Sequence, residues 1–92
     1  MSLSRGCVIA ELEPGKWYAF VAHREYDYNF ESWNSYGPVA SADAAWDEVG
    51  ANEANPGGGN EITHDEMGEE MRNRYKRMLA ERPPRNRMAP RW

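Results

Sequence analysis

Two spacings of apolar residues divide this chain, and they constrain its fold more than any other feature. Through residues 18–31 apolar and polar residues tend to alternate, which is typical of strands in an antiparallel sheet. After Gly37 and Pro38, apolar residues recur every three or four positions, as on one side of a helix. Strands followed by helices predict an α+β fold, and 92 residues allow a single domain.

A β-hairpin is predicted at the start. Residues 7–13 form its first strand and residues 17–22 the return strand. Pro14 and Gly15 between them fit the central positions of a type II turn, whose second central residue needs a positive φ. With a third strand at about residues 28–36, the sheet is expected to be a three-stranded antiparallel meander. The first strand is predicted to place on one face Val8, Ala10 and Leu12.

A short helix is predicted after the sheet, which is expected to end at Gly37 and Pro38. Ser41 is its N-cap, and Gly50 closes it. Trp46 is expected to be a buried anchor between this helix and the sheet. The apolar stripe of the helix consists of Ala42, Ala45, Trp46 and Val49.

A longer helix is predicted from about His64 to Arg82. Thr63 and Glu66 match a capping box, and Pro83 and Pro84 stop the helix. The segment before it, residues 52–60, is interpreted as a loop. Both helices are expected to pack side by side on the sheet, as a two-layer domain over residues 1–82. Residues 83–92 form a Pro/Arg-rich C-terminal tail. The apolar stripe of the longer helix, before this tail, consists of Met67, Met71, Tyr75, Met78 and Leu79.

The charged residues are sorted along the chain. Residues 1–71 contain fourteen Asp and Glu against three Lys and Arg, a net charge of −11. Residues 72–92 contain eight Lys and Arg against Glu81, a net charge of +7. Within the second helix this order suits the helix dipole, since acids precede bases. The arginines beyond the helix have no such explanation.

The tail is therefore one candidate site. Its few arginines would bind nucleic acid weakly, and the acidic body opposes that binding. We expect the tail to lie against an acidic aromatic surface of its own domain or of a second copy, the latter making a homo-oligomer. The candidate contact residues are Arg85, Arg87, Arg91 and Trp92.

An acidic aromatic surface is the other candidate site. Base-stacking platforms lie in positive grooves, whereas the aromatic residues here alternate with acids. Because Tyr and Trp are enriched in protein interfaces, we interpret this segment as protein-binding. Its residues are Glu25, Asp27, Tyr28, Glu31 and Trp33.

Catalytic, metal and membrane functions find no support in the motifs. Cys7, His23 and His64 do not have the spacing of zinc ligands. Gly57–Gly59 lacks the Gly-Lys-Ser/Thr continuation of a phosphate-binding loop. No apolar run approaches the length of a membrane span. We expect a cytoplasmic protein without cofactor, metal or enzymatic activity.

The leading hypothesis is a non-catalytic protein-interaction module, such as an adaptor, inhibitor or assembly factor. By composition alone, small acidic accessory proteins of phages and mobile elements are analogous. One alternative is nucleic-acid binding through the later turns of the second helix and the tail. Another is mimicry, in which carboxylates stand in for phosphates and occupy the basic groove of a host defence nuclease. Carboxylates in a row on one face would favour mimicry.

Overall fold

The computed structural model of the chain describes residues 6–22, 33–53 and 59–84. These residues form a small α+β fold, as the apolar spacings predict. Their helices and strands, in chain order, are β1 (Cys7–Glu13), β2 (Lys16–Ala22), β3 (Trp33–Val39), α1 (Ala42–Asn52), β4 (Asn60–Ile62) and α2 (Glu69–Glu81).

The hairpin of β1 and β2 agrees with its prediction. The two strands pair antiparallel, with Ile9 opposite Ala19. Gly15 has a φ of 77°, the conformation that the second central position of a type II turn requires. The carboxylate of Glu11 accepts a hydrogen bond from the Gly15 N–H at 2.9 Å and so holds the turn against its own strand.

The sheet has four strands rather than three. Its order is β3-β2-β1-β4, with β3 antiparallel to β2 and β4 parallel to β1. The predicted meander is therefore present but incomplete. The fourth strand begins at Asn60, the last residue of the segment interpreted as a loop. It spans three residues, too few for an alternating pattern to be recognised.

The third strand also ends later than predicted. It continues through Gly37 and Pro38 to Val39, and a bulge in its pairing with β2 lies opposite this region. In the sheet of the described residues β3 lies at the edge, where a proline is tolerated because the strand is paired on one side alone. Of the predicted strand, residues 28–32 lie outside the described part of the chain.

The two helices pack on opposite faces of the sheet, so the side-by-side, two-layer arrangement is wrong. Two separate clusters of buried residues show this. The cluster between α1 and the sheet, called the cluster under α1, consists of Cys7, Ile9, Ala19, Val21, Tyr36, Ala45 and Val49. The cluster on the α2 side, called the cluster under α2, consists of Ala10, Leu12, Phe20, Trp33, Met67, Tyr75 and Met78.

The reason is that β1 and β2 bury both faces. Successive side chains of a strand point to opposite sides, so Ile9 and Ala10 enter different clusters although both are fully buried. The predicted inward face of β1, Val8, Ala10 and Leu12, is indeed the one that packs under α2. The opposite face of β1, which carries Cys7 and Ile9, is covered by α1.

Helix α1 begins as predicted. The Ser41 hydroxyl accepts a hydrogen bond from the Ala44 N–H at 3.1 Å, which satisfies one of the unpaired donors of the first turn. The helix runs past Gly50 to Asn52, and Glu53 is its C-cap. The predicted end at Gly50 is therefore two residues too early.

Helix α2 starts later than its capping box. The Thr63 N–H donates to the Glu66 carboxylate at 2.9 Å, and the Glu66 N–H donates to the Thr63 hydroxyl at 3.3 Å. These reciprocal bonds close an isolated turn, and the helix begins at Glu69 after Gly68 as its N-cap. Glycine inside a helix costs about 1 kcal/mol relative to alanine, so a start beyond Gly68 avoids that cost.

Glu11 links two turns, and its carboxylate predicts a pH dependence of stability. One oxygen accepts the His64 N–H at 3.0 Å and the other the Gly15 N–H at 2.9 Å. These bonds, His64 first, lower the pKa of Glu11. Because the pKa is lower in the folded state, the stabilisation is present above the unfolded pKa of about 4.3 and is lost as pH falls through the folded pKa.

We expect Glu11→Gln to melt below the wild type at neutral pH, with the difference closing as the wild-type carboxylate protonates. Thermal melts from neutral to strongly acidic pH measure this. Glu81→Gln is the matched control, because the Glu81 side chain is exposed and Glu81 lies at the far end of α2, away from both turns. A difference between Glu11→Gln and wild type that does not change with pH would contradict the prediction.

Candidate interaction surface

The outer side of α1 is acidic. Its eleven residues contain three carboxylates, Asp43, Asp47 and Glu48, and no Lys or Arg. Asp43 and Asp47 are exposed and lie one turn apart, about 6 Å along the helix axis. The inner side packs Ala45 and Val49 into the core, which fixes the direction in which the carboxylates point.

Trp46 joins α1 to β4. Its indole Nε1 donates to the Glu61 carboxylate at 2.5 Å, and its ring packs against the cluster under α1. The side chain is half-buried rather than fully buried, so the predicted anchor is only partly inside the core. The aromatic ring and a carboxylate from another element thereby lie beside the acids of α1. We call this set, Asp43, Trp46, Asp47 and Glu61, the α1–β4 surface.

The C-terminal end of α1 adds a further carboxylate. Glu53 accepts a hydrogen bond from the Tyr36 hydroxyl and another from the Asn34 side-chain amide, the latter at 2.9 Å. These contacts tie α1 to β3 and hold the Glu53 carboxylate in place. Neither α1 nor β4 contains a Lys or Arg.

The basic residues lie across the sheet, on α2. Arg74 and Arg77 are exposed there. With Gly68, Glu70 and Met71 they line an open groove of about 410 Å³, which we call the α2 groove. Helix α2 also contains Glu69, Glu70 and Glu81, so it carries charges of both signs, whereas α1 carries acids alone.

Trp33, predicted as part of the acidic aromatic surface, lies in the core. It is 6% exposed and belongs to the cluster under α2. The Arg82 guanidinium lies 4.8 Å from the centre of the Trp33 ring and donates to the Trp33 carbonyl at 2.6 Å. Trp33 therefore offers little surface to a partner in this conformation.

The remaining predicted contact residues lie outside the described part of the chain, so their roles stay predictions. On the acidic aromatic surface these are Glu25, Asp27, Tyr28 and Glu31. On the tail they are Arg85, Arg87, Arg91 and Trp92.

The α1–β4 surface was not predicted, although the sequence pattern indicates two of its carboxylates. Asp43 and Asp47 stand four residues apart, opposite the apolar stripe of α1, and this spacing alone predicts two carboxylates on one exposed helix face. The contact of Trp46 with Glu61 depends on where β4 pairs, which no local pattern shows.

Cys7 is a buried free cysteine. Burial, reinforced by the nearby Glu53 carboxylate, raises the pKa of the Cys7 thiol to about 11, so this thiol is protonated at neutral pH. In residues 6–22, 33–53 and 59–84 no group of three or more His, Cys, Asp or Glu side chains could hold a metal ion.

Comparisons with protein-family models, curated proteins and solved structures found no match to this chain. Neither helix within the described residues is long and apolar enough to cross a membrane.

Proposed function

We propose that this protein is a non-catalytic interaction module that binds a basic surface of another protein through its α1–β4 surface. One observation carries the proposal. The half-buried Trp46 donates to Glu61 of β4 and shares α1 with the exposed Asp43 and Asp47, and neither α1 nor β4 contains a Lys or Arg. An acidic surface that includes an aromatic residue is chemically suited to a basic protein surface.

The charge of this face determines which partners it favours. A surface of one sign attracts a partner of the opposite sign over the distance of the Debye length, which speeds association at low salt. The same charge repels nucleic acid and anionic membranes. The location differs from the acidic aromatic surface predicted from residues 25–33, but the proposed chemistry of recognition is the same.

Mimicry of nucleic acid is the rival for this surface. Asp43 and Asp47 form a row of two, and the next position on that side of the helix is Gly50, which has no charge. A short row suits a local basic patch better than a groove that follows a duplex. If the partner were a nuclease, nucleic acid would compete directly with this protein for it.

Charge reversal on α1 tests the proposal. Asp43→Lys/Asp47→Lys replaces two attractions of about 0.2–1 kcal/mol each by repulsions of similar size. We expect a loss of about 0.8–4 kcal/mol in binding free energy, which is about a fourfold to several hundredfold loss of affinity for the partner. The measurement uses cross-linkers placed on α1 to capture the partner from the native host, followed by titration of the purified partner at low and high salt.

The matched control is Asp65→Lys/Glu81→Lys, which reverses two exposed acids outside the α1–β4 surface. The control should bind like the wild type, and circular dichroism should show that both variants fold. Equal losses of affinity in the two double variants would mean that net charge alone matters, and the α1–β4 surface would then not be the binding site.

A further inference from the structure

The α2 groove combines an apolar side chain with two cations and one acid, Glu70. Met71 is 42% exposed, and it alone among the large hydrophobic side chains of the described residues is exposed. Arg74 and Arg77 follow it at intervals of three residues and line the same groove. An exposed apolar group beside paired guanidinium groups fits a partner that offers carboxylates around a recess.

The other face of this protein has that chemistry. Asp43 and Asp47 are about 6 Å apart along α1, and Arg74 and Arg77 about 4.5 Å apart along α2, at 1.5 Å per residue. Two helices laid against each other can therefore pair both carboxylates with both guanidinium groups. In each pair, the two oxygens of a carboxylate can accept two parallel hydrogen bonds from a planar guanidinium group.

An antiparallel arrangement of the two helices fits best. With Asp47 opposite Arg74, the side chain of Met71 comes to lie opposite Gly50. Nothing lies within 4 Å of the position where a Cβ of Gly50 would be, so the surface there is open to the Met71 side chain. The same arrangement brings the positively polarised N-terminal end of α2 to the negatively polarised C-terminal end of α1.

We infer that the α2 groove binds the α1–β4 surface of a second copy of this chain. The inference uses the surface of the proposed function, so a second copy and a foreign partner would compete for it. Because α1 and α2 lie on opposite faces of the sheet, two copies cannot exchange both contacts at once. The contact is heterologous, and further copies add head to tail.

Sedimentation of the full chain tests this contact. We expect the weight-average mass to rise from the 10.6 kDa monomer as concentration increases from micromolar to millimolar at low salt. Since the Debye length shrinks from about 30 Å at 0.01 M to about 3 Å at 1 M salt, the association should be lost at high salt. A wild type that stays monomeric at every concentration and salt overturns the inference.

Two neutralised variants make the test specific. Asp43→Asn/Asp47→Asn removes the acids of one surface, and Arg74→Gln/Arg77→Gln removes the cations of the other. Each variant alone should be monomeric. An equimolar mixture still contains one intact surface of each kind, so it should form a dimer and nothing larger. Lys76→Gln, an exposed α2 cation outside the groove that lies 3.8 Å from Glu13, should associate like the wild type.

Other outcomes overturn the inference in recognisable ways. If both variants still associate, the contact lies elsewhere. If the protein stays monomeric but retains a single-stranded oligonucleotide, and Arg74→Gln/Arg77→Gln abolishes that retention, nucleic acid is the occupant of the groove. Failure here leaves the proposed function standing, because capture of a foreign partner depends on Asp43 and Asp47 without the α2 groove.

Discussion

Gly37→Ala should destabilise the protein by about 2–6 kcal/mol, a large part of the stability of a domain of this size. Gly37 has a φ of 122°, a conformation that costs other residues about 1–3 kcal/mol. An added Cβ would lie 2.6 Å from the Trp17 carbonyl oxygen and 3.2 Å from the Tyr18 Cα. Both are backbone atoms of β2, so relief requires moving a paired strand, at about a further 1–3 kcal/mol.

Chemical denaturation monitored by tryptophan fluorescence measures the loss. Gly50→Ala is the matched control, since Gly50 lies in α1 with open space around its Cβ position. Replacing a helical glycine by alanine should stabilise the protein by about 0.5–1 kcal/mol. Wild-type stability in Gly37→Ala would mean that Gly37 of β3 does not lie against the Trp17 carbonyl as it does in the structure.

Local patterns predicted those parts of the fold whose causes are local. The turn at Gly15 follows from the conformational freedom of glycine after proline, and the start of α1 follows from the hydroxyl of Ser41. In both cases the residues that determine the geometry are neighbours in sequence. The structure agrees at both positions.

The arrangement of the layers depends on contacts that are distant in sequence. Cys7 and Ile9 are as apolar as Val8 and Ala10, and this run indicates a strand buried on both faces, as in sheets covered by helices on both sides. Interpreting it as a half-buried strand led to the wrong placement of α2. β4 could not have been found at all, because its pairing with β1 is what makes those three residues a strand.

The start of α2 shows two local signals in conflict. The capping box of Thr63 and Glu66 forms its hydrogen bonds, yet Gly68 separates that turn from the helix. The predicted apolar stripe holds for Tyr75 and Met78, which are buried. It fails for Met71, which is exposed and is available to the α2 groove.

The candidate surface was predictable in its chemistry and unpredictable in its position. An acidic chain with interspersed aromatic residues indicates an acidic aromatic surface wherever those residues meet. Which ones meet depends on the sheet: Trp46 lies beside Glu61 because α1 packs over β1, β2 and β3 while β4 pairs with β1. Trp33, the aromatic residue that sequence placed on the surface, packs with the core residues under α2 instead.

Trp33→Ala should cost about 3–5 kcal/mol, because it removes a large ring that is 6% exposed and leaves a cavity in the cluster under α2. The Arg82 guanidinium would also lose the ring that it stacks on, a contact of about 0.5–1 kcal/mol at exposed sites. Trp33→Phe separates these effects from a role of the indole N–H, which has no hydrogen-bond partner within the described residues. It keeps most of the ring and removes an unpaired donor, so it should cost well under half as much. Denaturation curves of the two variants measure this ratio. A side chain that is needed for packing cannot be removed without loss of stability. If Trp33→Ala instead folds with near wild-type stability and no longer binds the partner, Trp33 belongs to the interaction surface that the sequence predicted.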